Sequence, residues 1–241
     1  MRDVINHIVF GWYPYLALTV FLLGSLIRFD REQYTWKTGS SQLLRRRQLM
    51  LGSNLFHVGI LIIFGGHLVG LLTPIAIFDA IGISHSFKQL MAIVVGGIAG
   101  IACLVGIALL THRRLFDNRV RATSSFGDVF ILLLLFAQLL LGLATIPISM
   151  GHLDGHEMVK FMNWAQGVVT LQSGAWQFVA DVHPIFKAHL FLGMTMFLVF
   201  PFTRLVHVWS APIWYLGRRG YQVVRSRNGS TPRGSPKGAG R

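Results

Sequence analysis

Residues 49–72 read LMLGSNLFHVGILIIFGGHLVGLL and contain no Asp, Glu, Lys or Arg. A helix needs roughly 20 mostly apolar residues to cross the hydrocarbon core of a membrane, so this stretch predicts a transmembrane helix. Residues 8–27, 90–110, 129–148 and 185–208 have the same apolar character. Hydrophobic residues make up 53% of the chain and charged residues only 13%, which is unlike an ordinary soluble protein. The sequence therefore predicts an all-α integral membrane bundle of five transmembrane helices.

One further stretch, residues 161–180, is free of charged residues. It contains two glycines and several polar side chains, among them Asn163, Gln166, Gln172, Ser173 and Gln177. A sixth crossing here would also move the basic C-terminal residues to the outside of the membrane, against the usual distribution of Lys and Arg. We therefore interpret residues 161–180 as an amphipathic element at the outer surface.

The positive charge is distributed unevenly along the chain. Five spans place all but four of the 22 Lys and Arg residues on one side of the membrane, the exceptions being Arg2, Lys88, Lys160 and Lys187. Cytoplasmic loops of membrane proteins are rich in Lys and Arg. This distribution predicts an outer N-terminus and a cytoplasmic C-terminus. The net charge of +13 thus reflects topology and contact with membrane lipid or an acidic partner, and does not indicate a nucleic acid.

The sequence predicts two regions. Residues 1–224 form the five-helix transmembrane domain, and residues 225–241 (RSRNGSTPRGSPKGAGR) form a basic cytoplasmic tail. The tail is predicted to be disordered because its Gly, Ser and Pro residues bury too little apolar surface to fold. The single cysteine, Cys103, lies within the third span. One cysteine excludes an internal disulfide, a covalent haem attachment motif and a cysteine-bound iron–sulfur cluster.

Four histidines lie within the predicted spans: His57 and His67 in the second, and His189 and His207 in the fifth. The interiors of all five spans lack Asp and Glu, which argues against a proton pump or an ion-coupled transporter. One buried histidine would be explained by a hydrogen bond to a neighbouring helix. Two histidines on each of two helices instead indicate two b-type haems, each with one axial ligand from each helix.

Depth in the membrane decides how these ligands pair. The second span runs outward and the fifth runs back, so His57 pairs with His207 at a cytoplasmic-side haem and His67 with His189 at an outer-side haem. At about 1.5 Å per residue, the ten residues between His57 and His67 cover roughly 15 Å, and the eighteen between His189 and His207 roughly 27 Å. This mismatch requires helix tilt, different haem orientations, or a His207 that reaches up from the membrane edge.

The residues around His67 suit a quinol site on the outer side. The segment FGGHLVGLLTP at 64–74 surrounds His67 with glycines, which allow a flat ligand to approach the backbone. Lys88 is the only cation in the loop after the second span and lies at the start of the third. Its ammonium can donate to a quinone carbonyl or stabilise a developing quinolate. The alternative is an interfacial lysine that extends to the membrane surface and anchors the third helix.

Several short segments, in their order and joint coverage, resemble the gamma subunit of respiratory nitrate reductase over nearly the whole chain. They are WYPY (12–15), QYTW (33–36), SNLFHVGIL (53–61), GHLVGLLTP (66–74), RRLFDNRVRAT (113–123), LGLATIP (141–147), HLFLGMTMFLVFPFTRLVHVWSAP (189–212) and YQVVR (221–225). Only the basic tail after residue 226 looks like an addition to this pattern.

The resemblance implies that His57, His67, His189 and His207 ligate two b haems, and that Gly66, His67 and Lys88 line the quinol pocket. It also implies ubiquinol or menaquinol as the substrate, with protons released outside. Electrons would pass from the outer to the inner haem, then to an iron–sulfur beta subunit and to a molybdenum-containing alpha subunit that reduces nitrate. Such a redox loop separates charge without intramembrane carboxylates, in agreement with their absence from the spans.

Two alternatives stay open from the sequence. One is a related cytochrome b that feeds another cytoplasmic partner, such as a sulfur-metabolising or heterodisulfide-reductase-like complex, because the terminal active site lies on the partner. The other, from a different class, is a haem-free membrane anchor or transporter. A purified, well-folded chain without bound haem would support this second alternative.

Overall fold

The structure, a computed structural model, describes residues 1–36 and 44–210. The predicted domain boundary at residues 224–225 and the predicted tail lie outside the described residues. The helices are α1 (Arg2–Arg31), α2 (Arg46–Leu72), α3 (Ile75–Ala80), α4 (His85–Phe116), α5 (Asn118–Ala122), α6 (Phe126–Met150), α7 (His156–Val169) and α8 (Pro184–Val199). A π-helical turn, Ile8–Trp12, interrupts α1.

Five of these helices are long and apolar enough to cross a membrane: α1, α2, α4, α6 and α8, the last counted through Phe202. No strand occurs among the described residues. These two findings confirm the predicted all-α bundle with five spans.

The long helices pack in a row, with α2 against α4, α4 against α6, α6 against α8, and α8 against α1. The N-terminus, α3, residues 151–155 and α7 lie together at one end of this bundle, which we call the α7 end. Residues 28–36, α5 and the first turn of α6 lie at the opposite end. We call it the basic end because Arg28, Arg114 and Arg204 lie there among other arginines.

The polar stretch 161–180 forms part of the α7 end and is not a sixth span. It is divided between α7 and a 3-10 helix, Ala175–Val179, and the 14 residues of α7 fall short of the roughly 20 needed to cross a membrane. Gln166 Nε2 donates to the Leu71 and Thr73 carbonyls, at 3.1 and 2.9 Å, where α2 ends. Trp164 Nε1 donates to the Phe10 carbonyl in the π turn at 3.0 Å. Both donors satisfy backbone carbonyls near irregular or terminal helix segments.

The contact between α2 and α4 is close because glycines form it at the basic half of both helices. A Cβ added to Gly59 would lie 2.6 Å from the Ala99 carbonyl oxygen and 2.7 Å from Cys103 Cβ. A Cβ added to Gly106 would collide with the Phe56 backbone nitrogen and lie 2.8 Å from the Gly52 carbonyl oxygen. Small residues allow helix backbones to approach closely in membranes, where dispersion contacts hold the helices together.

The two helices separate toward the α7 end. Gly66 lies seven residues beyond Gly59, about 20° away around the helix, and therefore also faces α4. Within the described ranges, a Cβ added to Gly66 would meet no atom within 4 Å, and the same holds for Gly96 on α4. Gly96 in turn lies seven residues before Cys103, on the α2-facing side of its helix. The glycines thus leave a gap between α2 and α4 near His67.

The fifth span is shorter as an α-helix than the sequence predicts. We expected a continuous helix over residues 185–208, but α8 ends at Val199 and is followed by 3-10 turns at Phe200–Phe202 and Arg204–Ser210. Pro201 explains the break, since proline has no N–H to continue the helix. Arg28 Nη1 donates to the carbonyls of Pro201 and Thr203 at 2.6 and 2.9 Å. His207 therefore lies on a separate turn, and the estimate of roughly 27 Å of continuous helix between His189 and His207 is wrong.

Candidate functional site

The structure brings the four intramembrane histidines together in two pairs. The ring centroids of His57 and His207 are 6.4 Å apart, and those of His67 and His189 are 6.2 Å apart. His57 and His207 lie nearer the basic end, and His67 and His189 nearer the α7 end. The crossed pairs are not formed. In each pair one ring comes from α2 and the other from α8 or the turn that follows it.

The separation within each pair leaves room for one metal atom. Metal–imidazole bonds of about 2 Å place the centroids of two trans imidazoles roughly 6 Å apart. Among the described residues, no group of three or more His, Cys, Asp or Glu side chains converges to hold a metal. Each pair thus offers two ligands, and the other positions on a metal would have to be filled from outside the protein. A haem fits this donor set, because its porphyrin supplies four nitrogens and leaves two axial positions.

Backbone carbonyls fix the tautomer of three of these rings. Nδ1 lies 2.7 Å from the Ser53 carbonyl oxygen in His57, 2.8 Å from the Ile63 carbonyl oxygen in His67, and 2.5 Å from the Arg204 carbonyl oxygen in His207. A carbonyl oxygen can only accept, so Nδ1 carries the proton in each ring. Nε2 is then the unprotonated nitrogen, and this is the form of imidazole that binds metals.

His189 is positioned by different contacts. Its Nδ1 is buried and has no hydrogen-bond partner within the described residues. Gln138 Nε2 on α6 donates to the His189 backbone carbonyl at 3.1 Å. Gly142, one turn further along α6, makes room for the ring, since an added Cβ would lie 3.0 Å from His189 Cε1. The α6 helix therefore sets the position of this histidine through a hydrogen bond and a steric gap.

The two residues predicted for the quinol site lie at the α7 end. Gly66 borders the gap between α2 and α4 and precedes His67. Lys88 lies in the first turn of α4, with its ammonium 3.7 Å from Met162 Sδ and 4.2 Å from the ring centroid of Phe78. Within the described residues, these contacts come from α7 and α3, and no hydrogen bond joins Lys88 to Gly66 or His67.

Charged groups outside the spans form two separate sets. At the α7 end, Lys160 Nζ bonds Glu157 and Asp181, both at 3.1 Å. Partial burial disfavours the charged form of Lys160, but its bonds to the two carboxylates outweigh this effect and raise its pKa. The hydrogen bond from Lys160 lowers the pKa of Asp181. At the basic end, the backbone N–H of Val120 and the Arg45 guanidinium lower the pKa of Asp117. These ion pairs fasten loops at both ends of the bundle.

Reasoning from the sequence missed four residues of this region. Gln138 was detectable as a polar side chain inside the apolar stretch 129–148. Gly142, Phe78 and Met162 carried no such signal, because glycine and large apolar residues are common in membrane helices and at their ends. Their contacts with His189 and Lys88 depend on how the helices are rotated, which the sequence pattern does not specify.

Five spanning helices with histidine pairs facing each other across the bundle are the arrangement of a membrane cytochrome b subunit. The family model described as nitrate reductase gamma subunit matches residues 6–227. Respiratory nitrate reductase 1 gamma chain of Escherichia coli is 52% identical over 93% of this chain and 99% of its own length, and the corresponding chain 2 is 52% identical over 94% and 100%. Nitrate reductase gamma chain of Bacillus subtilis is 39% identical over 92% and 99%. The chain belongs to the nitrate reductase gamma subunit family.

Proposed function

We propose that this chain is the quinol-oxidising, di-haem cytochrome b subunit of a respiratory nitrate reductase in a bacterial or archaeal inner membrane. His67 and His189 hold the outer-side haem, and His57 and His207 hold the cytoplasmic-side haem. The observation that carries the proposal is the spacing of the imidazole rings, whose centroids are 6.2 Å apart in the first pair and 6.4 Å apart in the second. Family membership adds that these helices belong to a membrane oxidoreductase subunit. When bound, each haem accepts and passes on one electron at a time.

The protein contributes orientation and a path for the quinol. The carbonyls that bond Nδ1 of His57, His67 and His207 fix these rings and leave Nε2 unprotonated to bind a metal. Ubiquinol or menaquinol enters the gap between α2 and α4 beside Gly66, where no side chain fills the space. Lys88 donates to a quinol oxygen and stabilises the negative charge that develops as the proton leaves. The protons are released at the α7 end, which is the outer side in this proposal.

The electrons leave at the basic end. An iron–sulfur beta subunit docks there beside His57 and His207, and a molybdenum-containing alpha subunit reduces nitrate. The arginines of the basic end suit a partner with an acidic surface. The match over 99% of the Escherichia coli gamma chain supports this partner set over a related cytochrome b that feeds a heterodisulfide-reductase-like complex.

A haem count tests the proposal. We expect a pyridine haemochrome assay of the purified protein to give about two b-type haems per chain, and a quinol analogue to reduce both. His67→Ala and His189→Ala should each lose one haem. The quinol analogue should then no longer reduce the haem that remains. His152→Ala, which changes an exposed histidine outside both pairs, is the matched control and should keep both haems.

Two outcomes would contradict the proposal. Well-folded, haem-supplied protein without haem would support the anchor or transporter alternative. Retention of both haems and of quinol oxidation in His67→Ala and His189→Ala would show that the pairing is wrong.

A further inference from the structure

Lys88 is the one lysine of the described residues whose ammonium has no oxygen partner. Lys160 bonds the carboxylates of Glu157 and Asp181. Lys187 donates to Asn6 Oδ1 at 3.1 Å and to the Ala180 carbonyl at 2.6 Å. Among the described residues, the Lys88 ammonium instead contacts a thioether sulfur and an aromatic face. All three lysines lie at the α7 end, so this difference does not follow from a general shortage of oxygen acceptors there.

Met162 and Phe78, the two side chains that contact the Lys88 ammonium, are both buried, and we call them the Lys88 cage. Met162 is fully buried and Phe78 is 9% exposed, whereas lysines near a membrane surface usually extend their ammonium groups to water. The Asp79 carboxylate attracts the ammonium from a distance but makes no ion pair with it, and the Asp79 side chain is 57% exposed. The Lys88 side chain is thus held toward the protein, away from the position that an anchoring lysine would take.

The chemistry of the cage leaves the ammonium able to bind a ligand. The face of an aromatic ring attracts a cation through its quadrupole without taking up a proton donor in a strong hydrogen bond. A thioether sulfur is a weak acceptor. An ammonium has three N–H donors, so at least one remains for an oxygen of a ligand, and the weak contacts with the sulfur and the ring leave the charge uncompensated. A carboxylate in the same place would both neutralise the charge and occupy a donor.

The helices that carry Met162 and Phe78, α7 and α3, are held in place by the rest of the bundle. Gln166 and Trp164 tie α7 to the end of α2 and to α1. The α3 helix carries Phe78 and lies between the end of α2 and the start of α4, where it begins after Pro74. Met162 and Phe78 are therefore placed by elements outside the five spans, and these elements meet at Lys88.

We infer that Phe78 and Met162 are positioning residues that hold the Lys88 ammonium in place to bind a quinol oxygen. The inference rests on the proposed quinol site. Phe78 and Met162 act through Lys88 and need not touch the quinol themselves. Their contacts explain how the Lys88 ammonium is held at the membrane boundary without a carboxylate counter-ion.

The test is a kinetic double-mutant cycle in the assembled membrane complex, with a soluble quinol analogue as the substrate. Phe78→Leu removes the aromatic face and Met162→Leu removes the sulfur, while both keep an apolar side chain of similar size. We expect Phe78→Leu to raise KM about two- to thirtyfold, the range that corresponds to a cation–π contact, and to lower kcat as well, because the same ammonium stabilises the developing quinolate. Phe78→Tyr keeps the aromatic face and should restore the KM. Met162→Leu should raise KM by a smaller factor.

Phe87→Leu and Met158→Leu are the matched controls. Phe87 adjoins Lys88 but its side chain is 52% exposed, and Met158 lies one turn before Met162 on α7. Both variants should keep the KM of the parent protein. Haem content, measured in every variant, shows that the bundle is intact.

The background variant Lys88→Met separates the possible results. If Phe78→Leu raises KM in the parent but adds nothing in Lys88→Met, the effect passes through the ammonium, as inferred. If Phe78→Leu raises KM equally in both backgrounds, Phe78 acts directly on the quinol or on the fold, and the inference is overturned. An unchanged KM in Phe78→Leu also overturns it. If Lys88→Met itself leaves KM unchanged, the proposed quinol site fails at Lys88, and the inference falls with it.

Discussion

The imidazole rings of the two pairs are held in two different ways. In His57, His67 and His207 a backbone carbonyl accepts the Nδ1 proton, so the ring orientation follows from the local helix or turn. His189 lacks such a bond and depends on the neighbouring helix α6. A ring without a fixed Nδ1 is more easily displaced, which makes the surroundings of His189 the most sensitive part of the proposed outer-side haem site.

Replacement of Gly142 should therefore affect one haem selectively. A leucine at this position would need the space of the His189 ring, because even a Cβ would lie 3.0 Å from Cε1. We expect Gly142→Leu to reduce the haem content from about two to about one per chain and to abolish reduction by quinol. The measurement is a pyridine haemochrome count together with a quinol-reduced difference spectrum.

Gly127→Leu on the same helix is the control for that experiment. Of the residues that the structure describes, a Cβ at Gly127 would meet only Ser125, with Oγ at 3.9 Å, so this variant should keep both haems. Equal haem content in the two variants would show that Gly142 does not determine the position of a haem ligand.

Among the secondary-structure elements, α2 and α4 have the interface most sensitive to side-chain size. Glycines bring the two backbones together at the basic half, and the same two helices separate beyond Gly59 to form the gap beside Gly66. The close contact and the open space therefore belong to the same pair of helices. A change that forces the helices apart at Gly106 should thus disturb both stability and the proposed quinol site.

Gly106→Ala should destabilise the bundle. The added methyl group would collide with the Phe56 backbone nitrogen and the Gly52 carbonyl, and backbone atoms cannot rotate away as a side chain can. Overpacking of this kind costs about 1–3 kcal/mol, and each kcal/mol lowers Tm by about 2–4 °C in a protein of this size. Thermal unfolding in detergent, followed by the loss of soluble protein, gives the Tm.

Gly96→Ala, ten residues earlier on α4, is the matched control. No atom lies within 4 Å of its added Cβ, and alanine is the better helix former by about 1 kcal/mol. Its Tm should equal or exceed that of the parent. If Gly106→Ala melts at the same temperature as Gly96→Ala, the close contact between α2 and α4 does not contribute to stability as described.

The elements also show how far the sequence predicts this fold. The number of spans, the surface position of residues 161–180 and the depth order of the histidines follow from apolar length and from charge distribution, and the structure has the predicted five spans. The end of α8 did not follow, although Pro201 was visible, because a proline inside a helix often causes only a kink. The sequence did not show that Arg28 from α1 would bond the carbonyls of Pro201 and Thr203 beyond the break. The contacts of Gly142 with His189, and of Phe78 and Met162 with Lys88, could not be predicted either. They depend on how each helix is oriented about its own axis, which the sequence pattern does not specify.

On the scale of the whole molecule, the two ends of the bundle differ in charge and in proposed chemistry. The α7 end has the histidine pair His67–His189 and, of the Lys and Arg residues that the structure describes, only Arg2, Lys88, Lys160 and Lys187. The basic end has the pair His57–His207 and the arginines that face the proposed iron–sulfur partner. A redox loop requires these ends to lie on opposite sides of the membrane. Its contribution to the proton motive force therefore depends on which end faces outward.

The distribution of Lys and Arg predicts that the α7 end faces outward, and accessible cysteines can test this orientation. The native Cys103 is fully buried, so it gives little background. Leu153→Cys places a thiol on an exposed residue of the α7 end, and Thr123→Cys places one on an exposed residue of the basic end. We expect a membrane-impermeant maleimide to label Leu153→Cys in spheroplasts and to label Thr123→Cys only after solubilisation in SDS. The parent protein, with Cys103 alone, should stay unlabelled in spheroplasts. The opposite labelling pattern would place the basic end outside, and proton release at Lys88 would then fall on the cytoplasmic side, where it could not support a redox loop.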